Sequence, residues 1–178
     1  PVWLMRQAGR YMEEYRRLRA KFSFLELCKR PDLAAEITVM PVERLGVDAA
    51  ILFADILLLL EPMGVGLEYS KDDGPQIRNP VRSGADVGRL REFDPEKELS
   101  FVYEVVRKSR SALNGKVPLI GFSGAPFTLA SYLIEGGTSR NFIHTKQLMH
   151  SDSSAWHDLM ARLALAVGQY LNAQIAAG

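Results

Sequence analysis

The chain has 178 residues, 47% of them hydrophobic and 24% charged, an ordinary balance for one globular domain or a large part of one. A formal net charge of +1 gives no overall field for a nucleic-acid partner, so any anion must be bound by a local cluster of cations. The single cysteine, Cys28, excludes an internal disulfide and a CxxC zinc knuckle and suits a reducing compartment.

The longest apolar stretch, Ala49–Phe53 with Ile56–Leu60, is interrupted by Asp55 and ends at Glu61-Pro62, too short to span a bilayer. The first residues do not read as a secretory leader, and an opening proline sets the expectation that the chain starts inside a longer protein. Val2–Met5 is a short apolar run and reads as a strand. The loop Arg6-Gln7-Ala8-Gly9-Arg10 follows, then a charged helix near Tyr11–Ala20 with a Glu13–Arg17 pair at i,i+4. Ser23 to Glu26 has the capping-box pattern of a short helix. Pro31-Asp32 opens another, with Leu33, Ile37, Met40 and Leu45 near one face, Gly46 as C-cap, and Pro41 expected to kink or interrupt it.

Ala49–Phe53 is continuously apolar at strand length, which suits a strand buried on both faces in a parallel sheet. Gly64 to Arg82 reads as an irregular excursion with a hairpin around Gly66–Tyr69. Asp94-Pro95 starts a helix that runs to about Leu113 and ends at Asn114-Gly115. Val117–Phe122 is the third strand. A helix from Pro126 to Glu135 follows, closed by Gly136-Gly137. Ser139 is expected to cap a short helix to Met149. Ser151 is expected to cap a long one over Ala155–Ala177, with Leu159, Leu163, Val167, Tyr170 and Leu171 on one stripe.

Strands separated by helices imply an α/β fold with parallel strands joined by crossovers. Three strands do not close a barrel and leave both sheet edges open. The chain is therefore expected to be the N-terminal portion of a larger α/β domain, a single domain over 1–178 that is incomplete.

In such folds ligands bind beyond the carboxyl ends of the strands. Arg6 and Arg10 follow the first strand, Asp55 the second, and the third leads into the helix carrying Tyr132. Arginine presents a planar, permanently charged fork that fits carboxylate or phosphate, and Gly9 lets the backbone approach a ligand. The alternative is that these arginines pair with Glu13, Glu43 or another acid. Asp55 lies between Phe53-Ala54 and Ile56-Leu57-Leu58, where a carboxylate costs free energy unless it is paired. It reads either as a helix cap or buried ion pair, or as an acceptor for N–H groups and a stabiliser of a developing cation. A tyrosine such as Tyr132 is by itself more often simple helix packing, since Leu129 and Leu133 flank it at helical spacing. His144, His150 and His157 lack metal-ligand spacing. Gly64–Gly66 is no dinucleotide fingerprint, and Ser123 is not in a nucleophile elbow.

The segments PVWLMRQAGRY (Pro1–Tyr11) and GFSGAPFTLASYLIEGG (Gly121–Gly137) resemble the two signature segments of the uroporphyrinogen decarboxylase family. FADILL (Phe53–Leu58) resembles the segment that carries its essential aspartate. They stand in family order at family-like spacing, and the resemblance extends over essentially the whole chain. It implies the N-terminal half of a (β/α)8 TIM barrel, from a cytoplasmic homodimer that removes carbon dioxide from the four acetate side chains of uroporphyrinogen III in haem synthesis. It implies no metal and no organic cofactor, and neither a nucleic-acid nor a membrane partner. By position, it implies that Arg6, Ala8 and Arg10 contact substrate with Gln7 and Gly9 in the same loop. Arg19 matches a further substrate arginine, Asp55 the aspartate that meets the pyrrole N–H groups, and Tyr132 a tyrosine near the reacting acetate. The catalytic set is Asp55, Arg6 and Tyr132. A serine or threonine and a histidine of the family site are expected beyond Gly178. The rival readings are the zinc-dependent methyltransferase branch of the same barrel and a non-catalytic tetrapyrrole carrier.

Overall fold

A computed structural model describes residues 11–70 and 74–178. The strand expected at Val2–Met5 lies outside the described residues. In chain order the elements are α1 (Glu13–Lys21), α2 (Phe24–Cys28), α3 (Pro31–Leu45), β1 (Ala50–Ile51), β2 (Leu67–Ser70), β3 (Gly74–Ile77), α4 (Gly84–Gly88), α5 (Pro95–Glu98), α6 (Ser100–Leu113), β4 (Leu119–Ile120), α7 (Pro126–Glu135), α8 (Ile143–Ser151) and α9 (Ser153–Ala177). They form two compact units. The first holds the residues through Asp55, Leu99–Phe122 and Leu171–Gly178, and the second holds Ile56–Glu98 and Ser123–Tyr170.

In the first unit β1 and β4 pair in parallel, Ala50 opposite Leu119 and Ile51 opposite Ile120. Two further bonds, from the N–H of Ala50 to the Pro118 carbonyl (2.9 Å) and from that of Leu52 to the Ile120 carbonyl (3.0 Å), complete the ladder. Both strands are shorter than the apolar runs predict. Pro118 has no N–H to give, and past the ladder the backbone groups of Phe53 and Phe122 go to side chains instead. Helix α3 packs on α6, and Lys108 of α6 meets Asp32 in the first turn of α3 at 2.9 Å. Val39, Ala50 and Leu113 form one core, with Val42, Val117 and Leu119 against it. Met12, Tyr15, Leu27, Ile37 and Met40 form another, which Phe22 and Phe53 join.

Local signals set these helices. Glu13 and Glu14 open α1 and Arg19 and Lys21 close it, which complements the helix dipole. Glu13 pairs with Arg17 at 2.6 Å. Both bonds of the Ser23–Glu26 capping box form, and Gly46 ends α3 at a left-handed φ of 63°. Pro41 does not interrupt α3; it forgoes one bond, to the Ile37 carbonyl. The single helix expected from Asp94 to Leu113 is instead α5 and α6. Leu99, with ψ at 22°, turns the chain between them, and its side chain is fully buried.

In the second unit the excursion is an antiparallel hairpin, β2 with β3, from the Leu67–Ile77 pair to the Ser70–Gly74 pair. It is longer than the one expected at Gly66–Tyr69, which only begins it. Helix α4 was not anticipated; the Ser83 hydroxyl accepts from the Asp86 N–H while the Asp86 carboxylate accepts from the Arg82 N–H. Leu57–Leu60 are entirely buried. Helix α7 begins at Pro126 and stops at Gly136, φ 84°. Ser139 does not cap α8, which starts after Phe142; its hydroxyl accepts the Phe142 N–H in the preceding turn. Asp152, rather than Ser151, caps α9 by accepting from the Ala155 N–H at 3.0 Å. A carboxylate at that position also favours the positive end of the helix dipole.

Candidate functional site

Because β1 and β4 are parallel, their carboxyl ends leave the sheet on the same side, where ligands bind in folds of this kind. Asp55 follows β1 by a short irregular segment and is half-buried. That segment is held at Phe53. The Phe53 N–H donates to the Thr38 hydroxyl at 2.9 Å, and its ring meets Tyr15 and Phe24 edge-on at 5.8 and 5.7 Å. Tyr15 belongs to α1, the helix that carries Arg19. The first unit thus ties the helix following the arginine loop to the segment leading into Asp55. Arg19 itself donates to the Phe22 carbonyl at 2.6 Å, capping the end of its own helix. A guanidinium has five N–H donors, so this bond does not exhaust it.

The end of β4 is held by a side chain that sequence reasoning missed. Gln174, buried near the end of α9, donates to the Phe122 carbonyl (3.0 Å) and accepts the Phe122 N–H (3.1 Å). Its amide takes the place of a neighbouring strand. A methyl group on Gly121 would overlap its oxygen and lie 3.5 Å from its Cδ, so glycine is required for this fit. The only sequence signal is a glutamine within the small and apolar closing stretch AQIAAG, residues 173–178. Thr38, in ITVMPV, gives the same kind of signal.

Tyr132 lies in the second unit, on α7. Leu129 and Leu133 are fully buried, and Tyr132 between them is half-buried. The C-terminal end of α7 is pinned from several sides. The Val81 N–H reaches the Leu133 carbonyl at 3.1 Å and the Ile77 N–H the Gly136 carbonyl at 2.9 Å. Arg82 donates to the carbonyls of Ile134 and Glu135. The Glu135 carboxylate accepts both the N–H and the hydroxyl of Thr145 at 2.8 Å, which caps the first turn of α8. Burial pushes the Glu135 carboxyl up, but the Thr145 bonds, His144 and Ser139 outweigh it and hold the group below its ordinary value.

Arg6, Gln7, Ala8, Gly9 and Arg10 lie outside the described residues. Asp55 and Arg19 belong to the first unit and Tyr132 to the second. Among the described residues no three His, Cys, Asp or Glu side chains gather as metal ligands, and no helix is long and apolar enough to cross a membrane.

The whole chain, residues 1–178, matches the family model described as uroporphyrinogen decarboxylase (URO-D). It is 60% identical over 178 residues to the uroporphyrinogen decarboxylase of Carboxydothermus hydrogenoformans, and 59% identical to that of Sorangium cellulosum. Each alignment covers 100% of this chain and 51% of the relative, so the chain spans about half the length of the curated relatives it matches. A solved methyltransferase from Methanosarcina mazei is similar in fold, with a TM-score of 0.63 at 18% identity over 87% of this chain and 48% of that one. That likeness agrees with the α/β architecture of parallel strands and intervening helices. With a family match over its full length and relatives at this identity, the chain belongs to the uroporphyrinogen decarboxylase family.

Proposed function

We propose that this chain supplies half of a (β/α)8 barrel, one domain with the residues expected beyond Gly178, whose activity is the decarboxylation of uroporphyrinogen III to coproporphyrinogen III. The observation that carries the reading is Asp55, set on an apolar segment at the carboxyl end of β1 in a chain that matches the family throughout. The substrate brings eight carboxylates and four pyrrole N–H donors. Arg6, Arg10 and Arg19 would neutralise carboxylates, with Gln7, Ala8 and Gly9 shaping the same loop, and Asp55 would accept the N–H groups at the macrocycle centre.

Losing carbon dioxide from an acetate leaves an electron pair that needs a sink. Protonation of the pyrrole α-carbon next to the one that bears the acetate makes the ring a cation conjugated with the acetate-bearing carbon. The C–C bond then breaks, its electrons neutralise the ring, and carbon dioxide departs. A proton added to the exocyclic carbon and one lost from the ring complete the change. Each acetate thus takes up one proton, becomes a methyl group and releases one carbon dioxide. The cation forms beside Asp55, so the carboxylate stabilises the transition state more than the neutral ground state. Tyr132 would orient the reacting acetate. Arg6 acts as binder and positioner, since a guanidinium holds its proton too tightly to be a good acid. The reading takes the protein to be a cytoplasmic homodimer that works without metal or organic cofactor.

The test is anaerobic incubation of the full-length protein with uroporphyrinogen, scored for coproporphyrinogen. Asp55→Asn keeps size and loses charge, and turnover should fall by about 10²–10³-fold, as when other preorganised electrostatic groups are removed. Near-wild-type turnover by this variant would sink the proposal.

A further inference from the structure

We infer that Thr38 is a positioning residue for Asp55, an inference that rests on the decarboxylase reading above. Thr38 stands in the middle of α3, 1% exposed, and its hydroxyl has two partners. It donates to the Ala34 carbonyl at 2.8 Å and accepts the Phe53 N–H at 2.9 Å. A hydroxyl has one proton and two lone pairs. With its proton committed to Ala34, the lone pairs are left for Phe53, so the helix fixes the direction of the bond. The Leu52 N–H already reaches the Ile120 carbonyl across the ladder. Successive N–H groups of a strand face opposite edges, so the Phe53 N–H faces away from β4 and Thr38 takes it.

The consequence reaches Asp55 through the chain. At Phe53 the backbone is held by Thr38 and the ring by Tyr15 and Phe24. Residues 52–55 adopt no regular secondary structure. The hold at Phe53 therefore constrains Asp55 from the β1 side, two residues away, a reach of at most ~7 Å. A shift of about 1 Å in a group that must face a developing charge costs ~10²-fold in rate. A threonine that only satisfied a buried N–H would matter for stability and leave the rate alone.

Thr38→Val keeps shape and removes the acceptor, and Thr38→Ser keeps the hydroxyl. In the full-length protein, anaerobic turnover of uroporphyrinogen by Thr38→Val should show kcat lowered by about 10-fold or more. KM should change by no more than ~2–3-fold, because the charge that Asp55 faces arises in the transition state. Thr38→Ser should restore kcat to within ~2-fold of wild type. In an Asp55→Asn background, Thr38→Val should cost no more than ~2-fold, since the group it positions is gone. If Thr38→Val does not fold, Thr38→Cys, of similar size and with only a weak acceptor, carries the same comparison. Wild-type kcat in the folded variant, failure of Thr38→Ser to restore it, or an undiminished effect in the Asp55→Asn background each overturns the inference alone. A wild-type protein that produces no coproporphyrinogen overturns the decarboxylase reading and this inference with it.

Discussion

Gly121 and Gln174 should be coupled, and the coupling can be sized from the geometry. Gln174→Ala removes two hydrogen bonds to Phe122, each worth about 1 kcal/mol net, and leaves a half-buried N–H and carbonyl partly unsatisfied. The expected loss is ~2–3 kcal/mol. Gly121→Ala adds a methyl group that overlaps the Gln174 amide oxygen, so the amide must swing away and both bonds go. That loss is smaller, ~1–2 kcal/mol, because alanine loses less backbone entropy on folding than glycine. In the double variant the clash has no partner, since the Gln174 Cβ lies 4.0 Å from the new methyl group. With Gln174 gone, Gly121→Ala should keep only its entropic gain of about 0.4–1 kcal/mol, giving a coupling energy of ~2–3 kcal/mol in a double-mutant cycle. Urea unfolding of the full-length protein and its three variants measures this. Additivity within ~0.5 kcal/mol would show that the amide does not hold the end of β4.

Two further predictions concern the second unit. The Glu135 carboxyl lies below its ordinary 4.5 in the folded chain, so its contribution to stability is complete above the unfolded-state value and disappears as pH falls through the lower folded-state value. Glu135→Gln should therefore narrow the gap to wild type only on the acid side of about pH 4.5, read from unfolding midpoints between pH 3 and 7; a gap independent of pH contradicts the cap. Gly124→Ala would place a methyl group 2.7 Å from Leu129 Cδ2 and 3.2 Å from Ile56 Cβ, and Leu129 is fully buried. Overpacking of this kind costs about 1–3 kcal/mol, and an unchanged unfolding midpoint would mean that the loop has slack.

Features encoded within a turn or two of chain were legible in the sequence. The Ser23–Glu26 box, the glycine stops at Gly46 and Gly136 and the proline start at Pro126 each need only near neighbours. The parallel pair was legible because both runs are apolar without alternation. The strand ends were not, because Phe53 is claimed by a residue 15 positions away and Phe122 by one 52 away. No local pattern encodes such partners. The break at Leu99 was hidden for a related reason: burial of that side chain, not a helix-stopping residue, coincides with the turn. Helix α4 was readable in principle, since Ser83 and Asp86 have capping-box spacing, but a glycine at each end masked it. For the site, the place of Asp55 after an apolar strand was visible, while the half-buried setting of Tyr132 between two fully buried leucines needed coordinates.

The two strand ends also differ in when they can be completed during synthesis. Thr38 leaves the ribosome before Phe53, so the clasp beside Asp55 can close as soon as its strand appears. Phe122 must wait for Gln174, 52 residues later, about 3–10 s at the usual ~5–20 residues per second of translation. Through that interval Phe122, within the GFSGAP segment, lacks the amide that will hold it. The bond beside Asp55 can thus form before β4 has been made, and the end of β4 stays unclasped until α9 follows it.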